Sequence, residues 1–174
     1  FVATDNEAGG RLGGEKLAAL LGGRGRVVLL RYAEGSESTT KREEGFLTAM
    51  RANPGIEVVS SNQYAGADVE GAYKKGEAIL SQHKRPDGSL AIDGIFCANE
   101  SSTFGMLRVL QDNGWAGKVK FVGFDAADSL VKPLAAGLID ALVVQDPMKM
   151  GYLGVKTVVA QLKGERVERR IDTG

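Results

Sequence analysis

Several kinds of chemistry are excluded by what this chain has little of. Its 174 residues include one cysteine, Cys97, so neither an internal disulfide nor a cysteine cage for zinc can form. Histidine is equally scarce. His83 stands beside Lys84-Arg85-Pro86 near a helix end, where a solvated side chain is expected, and one histidine supplies few parts for nucleophilic catalysis. Charge of one sign is missing too: Lys+Arg and Asp+Glu both number 22, for a net charge of zero. Without a basic field to grip phosphates, nucleic acid is not an expected partner. No apolar run approaches the roughly 18–20 residues of a membrane span. There is no Gly-x-Ser-x-Gly elbow for a hydrolase. The glycine clusters Gly9-Gly10, Gly13-Gly14 and Gly22-Gly23 match neither the dinucleotide fingerprint nor the Walker lysine motif, so no cofactor and no metal are expected.

What is present is a repeated pattern. Ile95-Phe96-Cys97-Ala98 stops on Asn99, Phe121-Val122-Gly123-Phe124 stops on Asp125, and Ala141-Leu142-Val143-Val144 stops on Gln145 with Asp146 behind it. A short apolar run bounded by turn residues reads as a buried parallel strand. Ligands of open parallel sheets bind outside the carboxyl ends of the strands. The pattern therefore predicts an amide, a carboxylate and a second amide along one sheet edge, a donor and acceptor mixture suited to a hydroxyl-rich small ligand.

The rest of the chain alternates strand and helix. Asp5 or Asn6 can cap a helix to about Leu21, ended by Gly22-Gly23. Strands are predicted at 26–30, 56–60, 92–97, 119–124 and 139–144, with a last one at 166–171. Helices are predicted at 39–52, 69–82 behind the cap Asp68, 101–111, 127–136 and from Asp146-Pro147 to about Leu162. Strands alternating with helices mean βαβ units, so the predicted class is α/β, a doubly wound parallel sheet with helices on both faces. Such a chain buries about 70% of its unfolded surface, enough for a real core. Cys97 falls inside an apolar run and reads as a buried structural thiol; the paired glycines of the first helix read as places of close helix packing.

Arg42 follows the polar loop after the first strand and so also falls at the carboxyl edge, with five donors in a fixed fork. Its neighbours Glu43-Glu44 read as a solvated face. Each edge residue has a plainer alternative: Asn99 and Asp125 as helix caps, Gln145 as a loop residue. On the last helix Met148, Tyr152, Val155, Val159 and Leu162 form one apolar stripe, with Lys149, Lys156 and Lys163 off it.

Thr4-Asp5-Asn6 through Gly9-Gly10, Arg42-Glu43-Glu44-Gly45-Phe46, Phe96-Cys97-Ala98-Asn99-Glu100, Val122-Gly123-Phe124-Asp125 and Gln145-Asp146-Pro147 with Gly151-Tyr152 together carry a resemblance. In order and spacing, over the whole chain, they are similar to the periplasmic sugar-binding proteins of the ribose-binding type. These share their fold with the ligand domains of lactose-repressor-like regulators. That family has two α/β lobes joined by three crossovers, closing on a sugar between them. The resemblance implies that Arg42, Asn99, Asp125 and Gln145 fall on sugar-binding positions and that nothing is catalysed. It implies a periplasmic location and a membrane permease of an ABC-type importer as partner. Where ribose binders place a stacking phenylalanine, this chain has Ala67, with Tyr64 nearby, so the sugar is left open.

The same resemblance implies that residues 1–174 are a single C-terminal lobe fragment whose N-terminal lobe is absent. The chain begins at Phe1 with no leader pattern, as a mature or trimmed chain would. The helix at 146–164 would then pack on the missing N-terminal lobe or, lacking it, bury its stripe either on its own lobe after a hinge at Gln145-Asp146 or in a homodimer through residues 147–162. Two other functions are weighed against transport. One is the effector lobe of a lactose-repressor-family regulator, for which no DNA-binding segment is present. The other is a small α/β enzyme, for which Asp125 is the only plausible base.

Overall fold

The computed structural model describes residues 1–174. In chain order the elements are β1 (Val2–Ala3), α1 (Asn6–Leu20), β2 (Arg24–Arg31), α2 (Glu37–Arg51), β3 (Gly55–Tyr64), α3 (Val69–Gln82) and β4 (Gly94–Cys97). They continue with α4 (Glu100–Asp112), β5 (Lys120–Phe124), α5 (Asp128–Ala135), β6 (Ala141–Val143), α6 (Pro147–Leu162) and β7 (Ile171–Asp172). The chain divides into two compact units, Asn6–Val143 and a smaller one made of Phe1–Asp5 with Val144–Gly174.

The larger unit is the predicted doubly wound sheet. Five parallel strands lie in the order β3-β2-β4-β5-β6. Side chains alternate across each strand, so neighbouring apolar residues serve opposite faces. Val27, Leu29, Phe96, Val122 and Phe124 face α1 and α2, where Leu17, Ala18, Phe46 and Met50 meet them. Val28, Leu30, Ile95, Cys97 and Phe121 face the other way, onto α3, α4 and Leu130 of α5. The Phe46 and Phe96 rings stack with centroids 4.5 Å apart. Cys97 is fully buried and burial raises its thiol pKa, in keeping with the structural thiol expected of it.

Glycine decides how closely α1 approaches α2. A Cβ on Gly10 would overlap the Arg42 carbonyl, and a Cβ on Gly45 would overlap the Glu7 carbonyl. The two helices thus meet backbone to backbone, as the paired glycines predict.

The smaller unit holds a two-stranded parallel pairing of β1 with β7, registering Val2 with Ile171 and Ala3 with Asp172. Only the end of the strand predicted at 166–171 forms. Arg166, Glu168, Arg169 and Arg170 put charge at nearly every position and bury no side chain. β1 is two residues long, below the reach of any periodicity. Asp146 caps α6, its side chain accepting from the Lys149 backbone N–H at 2.8 Å, with Pro147 in the first turn. None of the sixteen residues of α6 is buried. The apolar stripe is exposed, with Met148 at 83% and Leu162 at 82%, and Met150, Leu153, Gly154 and Thr157 form the half-buried face.

Candidate functional site

The strand order reverses beside β2: the chain leaves β2 for β3 on one side, then returns to place β4 on the other. α2 follows β2 onto one face and α4 follows β4 onto the opposite face, which opens a crevice at the carboxyl ends between them. Arg42 on α2 lies at this switch point. Its Nη1 donates to the Ala98 carbonyl just past β4 at 3.0 Å, and its Nε donates to Asn6 Oδ1 at 2.8 Å. The guanidinium carbon stands 4.0 Å from the centre of the Phe124 ring. Only 5% of Arg42 is exposed. Burial lowers its pKa, and the charge of Asp125 opposes that shift. An arginine stays charged regardless. Two of its five N–H donors are used in these bonds, so the fork is fixed in place while still able to donate.

Asn99 is the N-cap of α4. Its Oδ1 accepts from the Ser102 backbone N–H at 3.2 Å and from the Ser102 hydroxyl at 2.6 Å, and its Nδ2 donates to Ser101 Oγ at 3.0 Å. The plainer alternative, a cap, is therefore real, yet one amide hydrogen is left over for a ligand. Asp125 closes β5 and is the one non-glycine residue with a left-handed backbone, φ 71°. Its own N–H donates to the Val143 carbonyl at 2.7 Å, and its Oδ2 accepts from the Glu100 N–H at 3.2 Å. It does not cap α5, whose N-cap is Ala127 with no side-chain bond.

Arg42, Asn99 and Asp125 thus occupy one corner of the sheet, tied through Ala98, Glu100 and Phe124. Gln145 belongs to the smaller unit, two residues ahead of α6 and half-buried. Ala67 is exposed in the loop after β3, and Tyr64, 37% exposed, ends β3.

Two expectations are corrected. Glu43 is not part of a solvated face: it is 1% exposed, and its carboxylate accepts from Arg31 Nη1 at 2.8 Å and from the Tyr32 N–H at 3.1 Å. Glu44 is the exposed member, bonded to Lys41 at 2.8 Å. His83 is half-buried at the C-cap of α3, and burial, then the charge of Arg26, lowers its pKa. The sequence reading missed Asn6 and Phe124 as supports of Arg42. The signals were there, a cap-type residue before α1 and an aromatic before Asp125, but neither names its partner.

A concavity of about 860 Å³ lies at the opposite, amino edge of the sheet. Several of its polar groups are occupied structurally. Asp93 accepts from the Arg26 N–H at 2.7 Å, Arg85 donates to the Leu90 carbonyl at 2.5 Å, Trp115 to the Gly88 carbonyl at 2.9 Å, and Lys120 to Asp140 at 2.8 Å. The carboxyl edge is the better candidate because its cation, Arg42, is buried and uses two of its five N–H donors in the bonds to Asn6 and Ala98.

The chain has clear relatives among known proteins. The periplasmic binding protein domain family matches residues 1–166. The ribose import binding protein of Haemophilus influenzae is 32% identical over 170 residues, covering 98% of this chain and 55% of the relative. The chain spans about half the length of the curated relatives it matches. Among solved structures, the periplasmic component of a sugar transport system from Hahella chejuensis superposes with a TM-score of 0.90 at 36% identity, covering 98% of this chain and 60% of that one. A carbohydrate transporter solute-binding protein from Agrobacterium radiobacter, in complex with D-arabinose, gives 0.90 at 35% identity, covering 100% and 59%.

Proposed function

The chain belongs to the periplasmic binding protein family, and from that premise we propose that it is one lobe of the solute-binding component of an ABC-type sugar importer. Its ligand is a monosaccharide or similar polyol, taken up in the periplasm and delivered to a membrane permease. Arg42, Asn99, Asp125 and Gln145 are the hydrogen-bonding residues, and no reaction is catalysed. The observation that carries this reading is Arg42: a buried cation clamped by Asn6, Ala98 and Phe124 at the sheet's switch point, with donors to spare. Sugar hydroxyls both donate and accept, so a fixed guanidinium, a carboxylate and amides satisfy them together.

The exposed stripe of α6 fits the same reading. A second lobe, of the kind that makes up the remaining length of the relatives, would cover it; without that lobe a second copy of the chain could. Dividing the site between lobes has a consequence for affinity. A receptor of about micromolar affinity has about 8 kcal/mol of binding free energy, so one lobe supplying half would bind near millimolar. Titration of the isotope-labelled chain with D-ribose, D-allose and D-arabinose at millimolar concentrations tests this. Resonances of Arg42, Asn99 and Asp125 should shift with at least one sugar, and Arg42→Ala should abolish the shifts. No response to any monosaccharide, or shifts confined to other surfaces, sinks the reading. Micromolar affinity for the chain alone would sink the division between lobes.

A further inference from the structure

We infer that Glu43, through Arg31, is a positioning residue of this site: it sets the roll of α2 that aims Arg42, and it holds the loop after β3 beside the crevice. The inference rests on the sugar-site reading only for the purpose of that aim. Its geometry stands separately.

Arg42 and Glu43 are adjacent on α2, so their side chains leave the helix about 100° apart. Arg42 reaches toward α1 and the β4–β5 side of the sheet. Glu43 reaches the other way, to β2. One carboxylate oxygen takes the Tyr32 backbone N–H at 3.1 Å and the other takes Arg31 Nη1 at 2.8 Å. Arg31 passes the link on: its Nε donates to the Ser61 carbonyl of β3 at 2.6 Å, and its guanidinium carbon lies 5.6 Å from the centre of the Tyr64 ring. The same strand ends hold the following loop, with Ala65 N–H on the Arg31 carbonyl at 2.8 Å and Gly66 N–H on the Tyr32 carbonyl at 3.0 Å. The middle of α2 is therefore stitched to both halves of the sheet by two consecutive side chains of opposite charge.

Stability alone is a poor account of this pair. Glu43 is 1% exposed and Arg31 20%. Burial raises the Glu43 pKa, and the Tyr32 N–H and Arg31 only partly oppose it. A buried ion pair of this kind is often no more stabilising than an apolar pair of the same shape. What it supplies is direction: a carboxylate held at both oxygens permits one rotation of α2.

The test needs no sugar, so its failure and that of the sugar reading are separate events. The side-chain Nε–H of Arg42, bonded to Asn6, is followed by nitrogen-15 NMR in the folded chain. Glu43→Gln keeps the shape and removes the charge. It should move the Arg42 Nε–H resonance and speed its solvent exchange by about tenfold or more, the scale of one charge-assisted hydrogen bond. The backbone amides of Ile95 and Phe96 in β4 should keep their protection. Glu44→Gln, on the exposed neighbour, should change nothing at Arg42. If Glu43→Gln does not fold, Arg31→Lys carries the same readout, because lysine keeps the charge but lacks the fork that bonds Glu43 and Ser61 together. An unchanged Arg42 resonance and exchange rate overturns the inference. So does loss of protection in β4 equal to that at Arg42, which would mean general destabilisation.

Discussion

α4 and α6 begin alike and end up in opposite conditions. Each starts behind a side-chain cap that accepts from the backbone N–H three residues on, Asn99 from Ser102 and Asp146 from Lys149. Both carry apolar residues at helical spacing. Yet α4 buries seven of its thirteen residues between the sheet and its neighbours, and α6 buries none of its sixteen. Capping and periodicity suffice to make a helix; burial is set by what lies beside it. The lesson bears on function, because Asn99 belongs to a helix locked into a core, while Gln145 precedes a helix whose apolar face is open.

The sharpest way to break this comparison is a matched pair of leucines. Leu107 on α4 is 1% exposed and Leu162 on α6 is 82% exposed. Leu107→Ala should cost about 2–5 kcal/mol in denaturant unfolding, from lost burial and the cavity left behind. Next in size is Asp125, whose left-handed backbone is held by packed surroundings. Asp125→Ala should be less stable than Asp125→Gly by about 1 kcal/mol, since only glycine adopts φ 71° without strain. Equal stabilities would mean that the turn is not strained. The caps come third: Asn99→Ala and Asp146→Ala should each cost about 1 kcal/mol or somewhat less. Thermal melts followed by helix circular dichroism would show whether the cap on the open helix is worth less than the cap on the packed one. Smallest of all is Leu162→Ala, expected within about 0.5 kcal/mol of the parent. A larger loss, or a drop in molar mass by light scattering on this substitution, would show that the α6 face is covered in solution by a second copy.

The carboxyl edge was legible because strand ends are written locally. An apolar run of four residues closed by Asn99 or Asp125 announces both the strand and its exit. Arg42 was legible for the same reason, one loop and about one and a half turns of helix beyond a strand end. Glu43 was not. On a helix viewed alone, adjacent glutamates look equally solvated, and only the neighbouring β2 decides that one is buried on Arg31 and the other faces water. Asn6 was half legible: a cap-type residue by identity, yet bonded to an arginine 36 residues away. The final strand was overread because charged residues at 166–170 have no sheet neighbour to pair with beyond Ile171–Asp172.

The sequence by itself determined the alternation of strands and helices, the two apolar faces of each central strand, the glycines that let α1 touch α2, and the polar residues that close each strand. These follow from local periodicity and backbone sterics, which act over a few residues. The tertiary structure alone decided the order β3-β2-β4-β5-β6, the crevice it creates beside β2, the clamp of Asn6, Ala98 and Phe124 on Arg42, and the burial of Glu43 on Arg31. Each of these depends on which distant segments become neighbours, and a side chain's solvation, partners and pKa are properties of those neighbours.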